Sequence, residues 1–61
     1  MDKELEKQRM LRHKAYNIAV ERNKEKNNEE VKLLLNQFYV GVEAQNELLN
    51  KCVELGWMKY E

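Results

Sequence analysis

Residues 28 to 57, NEEVKLLLNQFYVGVEAQNELLNKCVELGW, fill about half of the chain, and read as helix they are apolar on more than one side. At 100° per residue, Val31, Leu35, Phe38, Val42, Gln45, Leu49 and Cys52 recur at alternating spacings of four and three. That is a heptad seam interrupted at Gln45. Leu34, Gly41, Leu48 and Leu55 run beside it, seven apart, with Leu33, Val40 and Ala44 beyond. Only Lys32, Asn36, Glu43, Asn46, Glu47, Asn50 and Glu54 keep a polar stripe. The apolar arc spans roughly 200°, about twice what a helix with a single neighbour needs.

A 61-residue chain has little to cover such an arc with. It is one domain, near the lower size limit for independent folding, where disulfides, metals, oligomers or close helix packing usually assist. Cys52 is the only cysteine, which rules out an internal disulfide, and with His13 the only histidine there is no Cys/His zinc cluster. Helix packing or oligomerisation remains. No proline is present and glycine occurs only at 41 and 56, so an all-α fold is expected.

Serine and threonine are absent. Nucleophilic Ser or Thr chemistry, Ser/Thr phosphorylation and N-glycosylation sequons are therefore excluded. No apolar run approaches the roughly 18 residues of a membrane span, and the charged start lacks a signal peptide's apolar core. A soluble, cytoplasmic protein is the expectation. The abundance of Lys, Asn and Glu suits an AT-rich coding sequence, as in low-GC bacteria and their phages.

The sequence EKNNEEV marks a break. Asn27 or Asn28 can cap a helix whose first turn carries Glu29 and Glu30, while Lys24 and Lys26 close the preceding one. The expected organisation is helix 1 over about 3–26, a turn at 27–28, helix 2 over about 29–55 and an aromatic tail at 56–61. Gly56 would end helix 2, with Trp57 folding back near Cys52. The rival is one uninterrupted helix. Charge divides at the same point: residues 1 to 26 carry eight basic and five acidic side chains, residues 29 to 61 three and six. Antiparallel helices would complement each other electrostatically.

Helix 1 gathers Leu5, Leu11, Ala15, Tyr16, Ile18 and Ala19 on one arc. Folding at 27–28 pairs Ile18 with Phe38, Leu11 with Gln45 and Ala15 with Gly41, the last a layer of two small residues. Val31, Leu35, Val42, Leu49 and Val53 then stay uncovered, and with Trp57 they are the expected protein interface. A dimer of antiparallel two-helix hairpins, forming a four-helix bundle, is the simplest closed solution. Gln45 would set its register or reach out at its rim.

Catalytic, cofactor and metal sites are not expected, nor is a small-molecule substrate. His13 falls among Arg12 and Lys14 and reads as solvated, and Cys52 reads as a small buried hydrophobe. Glu29 and Glu30 read as a capping pair, not an acid/base dyad. Trp57, Met58 and Tyr60 either anchor a partner or cap the bundle end against Leu5 or Met1. The expected function is a non-enzymatic protein-interaction module, a small regulator or inhibitor binding itself or another protein through the apolar face of helix 2. The alternative is a dimeric nucleic-acid binder using Arg9, Arg12, Lys14 and Arg22 of helix 1. Against this stands their angular scatter around the helix.

Overall fold

The computed structural model describes residues 3 to 60 and is all-helical. Helix α1 spans Lys3–Lys26, α2 Glu29–Gln37 and α3 Val42–Glu54. Asp2 lies outside the described residues, as do Met1 and Glu61, on which parts of the expected end cap and tail fall.

Two asparagines divide the work of the first turn. Asn27 takes the left-handed conformation (φ 53°), which asparagine tolerates better than most residues, and donates its N–H to the Asn23 carbonyl at 3.0 Å. Asn28 is extended and accepts the Val31 N–H on Oδ1 at 3.1 Å, capping α2. Behind them sits Asn23, the one buried polar side chain among the described residues. Its Oδ1 accepts the Asn28 N–H at 2.7 Å, and its Nδ2 donates to the Asn28 carbonyl at 3.2 Å. The α1–α2 turn is thus fixed from both sides.

The expected single helix over 29–55 is broken at 38–41. Phe38 is still helical (φ −54°, ψ −39°), but the hydrogen bonds tighten: Phe38 N–H reaches the Leu35 carbonyl and Val40 N–H the Gln37 carbonyl. Gly41 is fully extended, and α3 starts beyond it. Bending there lets one chain cover its own broad apolar arc, because α2 and α3 present different parts of that arc to α1. The proposed Ala15–Gly41 layer does not form. Nothing lies within 4 Å of where a Gly41 Cβ would stand, and Ala15 instead meets Cys52, whose thiol donates to its carbonyl at 3.7 Å.

The pairings set the directions. Asn23 meets Asn28 and Tyr16 meets Phe38, so α2 runs antiparallel to α1. Arg12 meets Gln45 and Ala15 meets Cys52, so α3 runs parallel to α1. Glu30 meets Lys51, so α2 and α3 are antiparallel. The core comprises Leu11, Ala15 and Ala19 of α1, Val31, Leu34 and Phe38, then Leu48, Leu49 and Cys52 of α3, closed by Met58. Ala15 and Ala19 are fully buried, and their small side chains let the neighbouring helices come close.

At the far end, Gly56 (φ 79°) and Trp57 donate their N–H groups to the Val53 and Cys52 carbonyls at 3.0 and 2.8 Å. This is the Schellman ending expected of Gly56. Met58, more than Trp57, plugs the core there. The tail does not cap Leu5, which is 68 % exposed because the first two turns of α1 project past the other helices. A 24-residue helix is about 36 Å long, and α1 accounts for nearly all of the 38 Å long axis of the molecule.

Candidate functional site

Of the six residues expected to form a bare interface, the core takes two outright. Val31 and Leu49 are buried, while Leu35, Val53 and Trp57 are half-buried and pack against that core. Val42 alone remains exposed, at 54 %. The surplus apolar face inferred for a continuous helix is largely covered once α3 folds back.

Exposed apolar surface collects at the bend between α2 and α3. Val40 and Tyr39 are 83 % and 78 % exposed, and they precede Val42 with only Gly41 between. Leu33 on α2 is also exposed, at 56 %. A shallow groove follows the bend past Val40, Gly41, Val42 and Ala44, with Glu43 and Glu47 on its acidic side.

The bend is held from inside. The Phe38 ring packs on Tyr16 (centroids 4.7 Å apart), edge-on to His13 at 5.7 Å and to Tyr39 at 5.4 Å, so the aromatic cluster runs from the core out to the exposed Tyr39. His13 therefore has a ring neighbour that helical spacing alone did not assign. Gln45 ties the bend together: Nε2 donates to the Phe38 carbonyl at 3.0 Å, and Oε1 accepts from Arg12 Nε at 2.9 Å. Gln45 thus occupies the acceptor left at the end of α2 and links it to α1.

The four cations offered for nucleic acid do not form one cluster. Arg9 and Lys14 line a groove on α1 with Glu6, Met10, His13 and Asn17. Arg12 is engaged by Gln45, and Arg22 is exposed two turns beyond Lys14. Among the described residues no group of three His, Cys, Asp or Glu side chains could hold a metal ion. No helix there is long and apolar enough to cross a membrane.

Two titratable groups are displaced by the fold. Lys51 reaches Glu30 at 3.0 Å and Glu54 at 3.7 Å, and the hydrogen bond to Glu30 chiefly raises its pKa. Burial pushes the Cys52 thiol up to about 11. Both folded values lie above the unfolded ones, so their contributions are complete below the unfolded pKa and disappear as pH rises through the folded value. For Cys52 that window runs from about 9 to about 11. Native chain at pH 8 is expected to resist thiol reagents and to react at the rate of unfolding, with stability falling above pH 9. Rapid modification of the folded chain at pH 8 would place Cys52 at the surface.

No family model matches the chain, and no curated protein or solved structure matches it either. Tyr39 and Val40 were not singled out from sequence as contact residues. The available signal was Gly41, the single glycine inside the apolar run, directly after Phe38, Tyr39 and Val40.

Proposed function

We propose that this chain is a small non-enzymatic interaction module, a regulator or inhibitor that binds protein through its α2–α3 bend. The observation that carries this reading is the concentration of Tyr39, Val40 and Val42 at one bend while most other large apolar side chains are buried or half-buried. Soluble chains seldom leave such residues together unless they are used, and a tyrosine beside aliphatic side chains is a common anchor. The interface is thus reassigned from the length of helix 2 to its middle. Self-association into a four-helix bundle is one form that this partnership can take.

Val40→Asp tests it. At 83 % exposure the charge stays in water, so the thermal midpoint should move little, while protein partners retained by the wild-type chain should be lost. Retention unchanged in a folded Val40→Asp chain would refute the assignment.

Nucleic-acid binding through α1 is the second reading, favoured by Arg9 and Lys14 sharing one groove with His13 and Asn17 and opposed there by Glu6. Binding of that kind would weaken steeply between about 50 and 200 mM salt. The diversion of Arg12 to Gln45 places this reading behind the first.

A further inference from the structure

We infer that the partner at the bend is a second copy of this chain, and that two copies exchange α3 by straightening residues 38 to 41 into continuous helix. The inference rests on the bend being the interaction surface.

The hinge is short. Phe38 is helical and α3 begins at Val42, with Gly41 fully extended (φ 179°, ψ 173°) between them. The four-and-three apolar spacing from Val31 to Cys52 passes through this point without a change of phase. Straightening also preserves hydrogen bonding. The Phe38 carbonyl, which now accepts from Gln45 Nε2, would accept the Val42 N–H as in any helix.

Two large apolar side chains near the start of α1 are exposed in the closed chain. Leu5 and Met10 are each 68 % exposed there. A straight helix over 29–54, turned back at Asn27 and Asn28, is about 39 Å long against about 36 Å for α1. It would lie alongside residues 3 to 14 and cover that end, giving the length of α1 a purpose that the closed chain does not.

Direction decides in favour of exchange. In the closed chain α3 runs parallel to α1, past Ala15. Two straight hairpins packed antiparallel about a two-fold axis at the bend would bring the partner's α3 over that same surface, in that same direction. The contacts buried within one chain are then rebuilt between two, which is how exchanged dimers keep their cost low. Val42, on the same seam as Leu35 and Leu49, would meet its own copy near the axis with Tyr39 beside it, while Val40 would turn to the opposite side of the straight helix. The product is a four-helix bundle in which Gly41, a poor interior helix residue, keeps the balance near reversibility.

Sedimentation of the full chain over about a hundredfold range of concentration tests this together with one intrachain distance. Glu30 and Lys51 touch in the closed chain, whereas 21 residues of straight helix separate them by about 32 Å. Labels at the nearby exposed positions Glu29 and Asn50, on chains diluted into unlabelled excess, read that change. We expect dimers at high concentration with the labels far apart. Gly41→Ala should tighten the dimer by about thirtyfold, fivefold per chain, since its Cβ meets nothing in the closed form. Val42→Pro should abolish the dimer: proline suits the first position of α3 after an extended residue but cannot sit inside a straight helix.

The inference is overturned by wild-type and Gly41→Ala chains that stay monomeric throughout, by dimers whose labels remain close, or by undiminished dimers of Val42→Pro. Should Val42→Pro fail to show native helix content, the Gly41→Ala shift and the label distance decide. A monomer whose Val40→Asp variant still loses protein binding removes the exchange and leaves the bend as a docking surface. Insensitivity of both assays to Val40→Asp removes that surface too.

Discussion

Phe38→Ala is expected to remove half or more of the chain's folding stability. The ring is 1 % exposed and packs on Tyr16 and His13, so its loss leaves a cavity where α1 meets the end of α2. Truncating a buried phenylalanine costs about 3–5 kcal/mol. A domain of this length has only about 3–9 kcal/mol of stability in total. The Gln45 bond to the Phe38 carbonyl survives in principle, being made to backbone, but without the ring nothing apolar backs the bend. Denaturant unfolding followed by far-UV circular dichroism measures the loss. A change below about 1 kcal/mol would mean that the ring is not part of the core.

Val31→Asp has a comparable effect for a different reason. Val31 is fully buried, and a carboxylate there would be unpaired or forced to protonate. It sits in the first turn of α2, where the helix dipole favours a negative charge by roughly 0.3–1 kcal/mol. Desolvation exceeds that several-fold. The sign of the outcome separates two architectures. In a hairpin with a bare helix-2 face, aspartate at 31 would be harmless or slightly stabilising, as an acidic residue in a first turn. In the three-helix chain it unfolds the protein. Thermal unfolding of Val31→Asp beside Val40→Asp makes the comparison internal, since the second carries the same charge change on an exposed side chain.

How much of this was legible in the sequence differs by residue. The start of α2 was readable because an asparagine before two glutamates has a specific capping chemistry, and Asn28 performs it. The Gly56 ending was readable for the same reason, since the left-handed position after a helix favours glycine. The bend at 38–41 was not. Helical spacing continues in phase through it, and Gly41 as a helix interior residue costs only about 1 kcal/mol, an amount packing readily overrides. A continuous helix there implies a bare face that includes Val31 and Leu49, both of which the bend buries. The width of the apolar arc was real information, but it admits two solutions: a second chain, or a bend that brings a third helix back.

Asn23 shows a different limit. Its position continues the four-residue row of Leu11, Ala15 and Ala19, so periodicity places it on the buried face. What periodicity does not encode is its pair of hydrogen bonds to Asn28, which depends on where Asn28 comes to lie after the turn. Gln45 is similar. A polar residue in an apolar seam suggested register between chains, whereas here it satisfies a helix-end carbonyl within one chain and engages Arg12.

The break itself is the central claim, and residue-resolved NMR on dilute protein tests it most directly. The three-helix chain predicts helical carbon shifts over 29–37 and 42–54, a non-helical shift at Gly41, and fast amide exchange at Tyr39 and Val42 beside slow exchange at Leu34 and Leu48. Uninterrupted helical shifts and protection from 29 to 54 at concentrations where the chain is monomeric would contradict it.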